Sequence, residues 1–174
     1  MSTPLDLRRF VRNVPDFPSP GILFRDVTPL LANPDALREA VARVAEPFRG
    51  AGVEQVLGVE SRGFILGAPV ALQLGAGLCI ARKPGKLPAK THEVSYELEY
   101  GTDRLEMHTD SLVPGQRVLI VDDLLATGGT AAATLRLAQL AGSEVLGCSF
   151  LIELEALGGR GQLPAKEIHS VITY

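Results

Sequence analysis

Residues 117–130, RVLIVDDLLATGGT, constrain the fold of this chain more than any other stretch. The run Val118-Leu119-Ile120-Val121 is apolar and mostly branched, the pattern of a strand buried on both faces of a parallel sheet. Two adjacent carboxylates, Asp122 and Asp123, end it. Thr127-Gly128-Gly129-Thr130 follows, then an Ala-rich segment with apolar residues at helical spacing. The order is strand, acidic pair, glycine loop, helix. A glycine loop feeding a helix N-terminus offers several backbone N–H groups at the positive end of the helix dipole, a site for a phosphate. The acidic pair would repel that phosphate unless it holds sugar hydroxyls or a metal ion. Two carboxylates at the end of a buried strand are costly without such a task, which weighs against TGGT as a plain turn.

The remaining segments repeat the alternation of strands and helices. Strands are expected at 55–59, 78–81, 144–152 and 168–173. Helices are expected at 3–14, from Asn33 as N-cap with Pro34 at N1, from the turn at Glu60 to about Leu74, and at 130–140. Residues 16–31 hold three prolines and read as an ordered, extended loop without regular helix. Residues 94–109 alternate polar and apolar around Tyr100-Gly101-Thr102-Asp103, the pattern of a hairpin with a mobile tip. Residues 154–161 read as a short helix or loop. The expected fold is α/β, a mostly parallel central sheet flanked by helices in a single domain over 1–174. Right-handed crossovers would bring the loops starting at Glu60, Arg82 and Asp122 to one sheet edge.

Composition narrows the class. The chain has 174 residues, 46% of them apolar, with a net charge of -3. This gives one ordinary core, and no basic excess argues for nucleic acid. No apolar stretch is long enough to span a membrane, and residues 1–10 lack a signal-peptide core, so the default location is cytoplasmic. Cys79 and Cys148 sit singly in apolar runs and read as buried structural thiols. His92, His108 and His169 show no metal-ligand spacing.

The glycine loop fits neither GxxxxGK[ST] nor GxGxxG. VLIVDDLLATGGT instead resembles the 5-phosphoribosyl-1-pyrophosphate (PRPP) motif of type I phosphoribosyltransferases. FPSPGILFRDVTPLL, ESRGF, ARKPGKLPA and SYELEYG resemble, in order, segments of the adenine-specific members. The resemblance implies a small hood from about 1–33 and 154–174 over the core. It implies that Ala126, Thr127, Gly128, Gly129 and Thr130 hold the 5-phosphate, and that Asp122 and Asp123 hold the ribose. Glu60, Ser61, Arg62 and Gly63, with Arg82, Lys83 and Lys86, are implied for pyrophosphate; three cations in five positions suit that charge independently. Leu23, Phe24, Arg25 and Leu154 are implied for adenine, with Phe24 offering a stacking face. Glu99 is implied as proton donor and Tyr100 in closure of the hairpin. Arg82 in the family can reach the neighbouring subunit, which implies a homodimer.

The expected reaction is Mg²⁺-dependent transfer of phosphoribose from PRPP to adenine N9, with the metal held mainly by PRPP. A 6-oxopurine enzyme would need a donor to the 6-oxygen, and none appears near Phe24 or Leu154. A PRPP-sensing regulator would carry a DNA-binding segment or a degraded pyrophosphate loop. A Mg²⁺ phosphatase using Asp122 and Asp123 would leave the nucleophile unassigned.

Overall fold

The computed structural model describes residues 5–98 and 101–174. Nine strands and four α-helices occur among them, in the order β1 (Arg12–Pro15), β2 (Leu23–Asp26), α1 (Thr28–Ala32), α2 (Pro34–Ala45), β3 (Gln55–Val59), α3 (Arg62–Leu74), β4 (Gly77–Ala81), β5 (Thr91–Leu98), β6 (Gly101–His108), β7 (Arg117–Leu125), α4 (Gly129–Leu140), β8 (Glu144–Glu153) and β9 (Ile168–Thr173). The central sheet runs β4-β3-β7-β8-β9, with every neighbouring pair parallel.

Strand periodicity divides the core in two. Val118 and Ile120 of β7 face a cluster built with α4 and the β5–β6 hairpin, while Leu119 and Val121 face one built with α2 and α3. Both faces of the sheet are therefore covered, as a parallel sheet requires. Asn33 caps α2 through Asp35 and Ala36, with Pro34 in the first turn. Cys79 and Cys148 are free and buried, and burial pushes both thiols up to about 12, which leaves no thiolate for chemistry.

Three expectations are corrected. The helix expected at 3–14 is not formed over its described part, residues 5–14: Leu7–Phe10 is a single 3₁₀ turn, and β1 then pairs antiparallel with β2 across the proline loop. Residues 16–31 are not wholly extended, because α1 starts at Thr28 and Pro29 sits in its first turn, where a missing N–H is harmless. The acidic pair lies inside β7 rather than after it. Pairing with β3 ends at Val121, but pairing with β8 runs on from Asp122↔Phe150 to Leu125↔Glu153. Beyond Val121 the β3 side of β7 is open, and the start of α3 fills that opening. Among the described residues no helix is long and apolar enough to cross a membrane.

Candidate active site

A cavity of about 300 Å³ opens at the C-terminal edge of the central sheet. Its lining includes Glu60, Ser61 and Arg62 after β3, Lys83 after β4, Asp122 to Leu125 of β7, and Ala126 to Ala131. Parallel strands place these loops together because every strand ends on the same edge.

The loop after β7 carries no charge of its own. Gly128 has φ 88°, and no side chain caps α4. The first N–H groups of that helix thus lack helical acceptors, and Gly129, Thr130 and Ala131, which carry them, line the cavity. Thr134 Oγ1 ties back to the Thr130 carbonyl at 2.8 Å, and Thr130 Oγ1 meets the Tyr96 hydroxyl at 3.3 Å.

The acidic pair is asymmetric. Asp123 is 4% exposed and accepts from the Arg62 guanidinium, whose side chain is 44% exposed at the cavity wall. Asp123 N–H donates to Asp122 Oδ1 at 2.8 Å. Burial, reinforced by the Asp123 charge, pushes the Asp122 carboxyl well above its ordinary 3.8. A Cβ on Gly63 would lie 2.8 Å from the Val121 carbonyl and 2.9 Å from Asp122 Oδ1. Only glycine lets α3 approach the pair this closely.

The cations are sorted by Glu60. Its carboxylate takes Lys86 Nζ at 2.7 Å, the Lys83 backbone N–H at 2.7 Å and Arg82 Nη2 at 3.5 Å. Burial would raise this carboxyl, but those three contacts together hold it below its usual range. Arg82 also stands 5.9 Å from the Phe64 ring centroid. The Lys83 ammonium pairs instead with Asp103 of β6 and lies 3.3 Å from the Tyr96 hydroxyl.

Residues 28–172 match the phosphoribosyl transferase domain family. The adenine phosphoribosyltransferase of Rhodopirellula baltica is 56% identical over 98% of this chain and 82% of its own length. That of Rhodothermus marinus, a solved structure, superposes with a TM-score of 0.92 at 54% identity, covering 97% of this chain and 96% of the other. The chain belongs to the adenine phosphoribosyltransferase family. The Saccharomyces cerevisiae adenine phosphoribosyltransferase, solved with adenine and an imino-altritol bisphosphate, gives a TM-score of 0.90 at 37% identity, covering 95% of this chain and 96% of the other.

Within this phosphoribosyltransferase, the cavity gathers Asp122, Asp123, Ala126 to Thr130, Glu60, Ser61, Arg62 and Lys83. Gly63 lies behind the acidic pair as a spacer. Arg82 and Lys86 lie on Glu60 rather than in the cavity wall. Phe24 stands beside the cavity, its ring centroid 5.7 Å from the Arg62 guanidinium and 5.1 Å from the Phe17 ring, edge to face. Leu23 is 46% exposed. The Arg25 guanidinium stacks 3.8 Å over Tyr174 and meets Asn13, which holds β2 against the C-terminal strand. Leu154 is half-buried on the α2–α3 side of the core. Glu99 and Tyr100 lie outside the described residues.

Sequence reasoning missed Tyr96 and Asp103. They are opposite each other in the β5–β6 register, so a correctly placed turn would have paired them. Together they link the phosphate loop, through Thr130, to Lys83.

The raised Asp122 carboxyl yields a stability prediction. An acid whose folded-state pKa lies above its unfolded value destabilises the fold as pH rises through that window. Asp122→Asn removes the ionisable group and keeps the acceptor for Asp123 N–H. The variant melts higher than the parent at pH 7, by about 2–4 °C per kcal/mol relieved. The gain shrinks as pH falls and is gone below 3.8. Thermal denaturation at several pH values checks this, and a gain that persists at pH 3 contradicts it.

Proposed function

We propose that this chain transfers the 5-phosphoribosyl group of PRPP to N9 of adenine, giving AMP and pyrophosphate in purine salvage. One observation carries the proposal: uncapped helix-start amides, an acidic pair and two cationic side chains share one cavity. This is the charge order of PRPP itself, phosphate at one end, neutral sugar hydroxyls between, pyrophosphate at the other.

In this reading the amides and hydroxyls of residues 126–130 receive the 5-phosphate. Asp122 and Asp123 accept from the ribose hydroxyls and place negative charge near C1 as the C1–O bond lengthens. Arg62 and Lys83 take the departing pyrophosphate, and Glu60 keeps Arg82 and Lys86 beside that end. The base stacks on Phe24 in a hood from about 1–33 and 154–174, with backbone groups of Leu23 and Arg25 reading its edge and Leu154 opposite. Glu99 donates the proton to the adenine ring, and Tyr100 shares in hairpin closure that excludes water from a reactive sugar cation. The enzyme works as a cytoplasmic homodimer, with Arg82 reaching toward the neighbouring site.

Among the described residues no three His, Cys, Asp or Glu side chains converge as a metal site. Two adjacent carboxylates alone suit a Mg²⁺ ion that keeps its own waters and substrate oxygens. Held mainly by PRPP oxygens, Mg²⁺ would supply neutralisation of the pyrophosphate charge and so a better leaving group.

The test of base identity offers PRPP and Mg²⁺ with adenine, hypoxanthine or guanine in turn. AMP forms from adenine, with little nucleotide from the other two. Faster product from hypoxanthine or guanine contradicts the assignment of the base.

A further inference from the structure

The phosphate loop has a neighbour that does not line the cavity. Gly159 is buried in the 3₁₀ turn Gly159–Gln162. A Cβ at Gly159 would stand 2.1 Å from the Ala126 carbonyl oxygen and 2.9 Å from Gly128 N. A Cβ at Gly128 would stand 2.6 Å from the Gly159 carbonyl oxygen. The two backbones are in direct contact, and each requires glycine in the other. One isolated 3₁₀ turn has too few hydrogen bonds to hold its own position. Arg160 supplies the anchor. Its guanidinium grips Glu153 through two bonds, at 3.0 Å and 2.6 Å, and donates to the Ile168 carbonyl at 2.7 Å. Ser170 Oγ donates to the same carboxylate at 2.6 Å.

Glu153 is 4% exposed and ends β8, opposite Leu125 in register. The Arg160 hydrogen bonds keep its carboxyl below the usual range, so the pair stays ionised. An unbroken series of contacts therefore runs from the central sheet through Glu153, Arg160 and Gly159 to Gly128. Gly128, at φ 88°, is the residue least able to hold its conformation by local preference. Arg160 spends its donors on Glu153, Ile168 and Ser170, so its action on the loop is indirect.

We propose that the Gly159–Gln162 turn, locked by the Arg160–Glu153 pair, braces the phosphate loop, making Gly159 and Arg160 positioning residues for the 5-phosphate. The proposal rests on the reading of residues 126–130 as the phosphate site.

Calorimetric titration with ribose 5-phosphate, and separately with pyrophosphate, tests it on the full chain. Gly159→Ala weakens ribose 5-phosphate binding at least tenfold and leaves pyrophosphate binding within twofold. Its KM for PRPP rises, while kcat at saturation and KM for adenine stay within about threefold. Arg160→Lys keeps the charge but loses the two-pronged grip, and gives the same selective loss at about threefold; it decides the matter if Gly159→Ala does not fold. Parent-like ribose 5-phosphate affinity in a folded variant overturns the brace. Equal loss for both ligands overturns it too, since that is general loosening. If the parent itself fails to bind ribose 5-phosphate, the reading of the phosphate loop falls instead.

Discussion

Asp123→Asn lowers kcat at least tenfold while KM for PRPP changes by no more than a few-fold. The split follows from what Asp123 does before substrate arrives. Its carboxylate is buried against Arg62. In the amide variant Arg62 loses its counter-charge and remains free to meet pyrophosphate, so ground-state binding is spared. The loss falls on the reacting ribose, where a charged acceptor is replaced by a neutral one. Hydrogen bonds to charged groups are worth about 1.5–3 kcal/mol, which corresponds to roughly ten- to a hundredfold in rate. Breaking a fully buried pair costs about 3–5 kcal/mol of stability. The cost here is smaller, because Arg62 is 44% exposed and rehydrates. Steady-state kinetics with circular dichroism checks both parts. Near-parental kcat in a folded variant contradicts the role of the acidic pair.

Gly128→Ala has the opposite signature. An alanine forced to φ 88° carries a left-handed penalty of about 1–2 kcal/mol. Its methyl group would also stand 2.6 Å from the Gly159 carbonyl oxygen, a backbone atom that cannot rotate away. Together these displace the loop amides, so KM for PRPP rises at least tenfold. The fold survives, since α4 is pinned by buried Ala131, Leu135 and Leu137. KM for adenine, bound elsewhere, stays within about twofold. Unchanged KM for PRPP in this variant contradicts the assignment of the phosphate loop.

The features legible in the sequence are those set by local pattern. Val118 to Val121, the cap at Asn33 and the glycines after Thr127 each act through near neighbours, and the parallel sheet followed from their order. Features set by distant partners were hidden. Residues 12–15 form a strand only because Leu23–Asp26 returns beside them. Asp122 and Asp123 stay in β7 because β8 continues to pair after β3 has stopped. Arg62 finds Asp123 across 61 positions. Lys83 finds Asp103 through the hairpin register, and Gly159 meets Gly128 from a distant part of the chain. Such pairings depend on which strands are neighbours, which no short window contains.

The central claim is phosphoribosyl transfer, and the stoichiometry of one reaction tests it most directly. Purified protein is incubated with adenine, PRPP and Mg²⁺, and the products are separated by anion-exchange chromatography. The account predicts AMP and pyrophosphate in equal amounts, with adenine consumed to match. Ribose 5-phosphate and pyrophosphate with adenine untouched, or no turnover of PRPP at all, would contradict it.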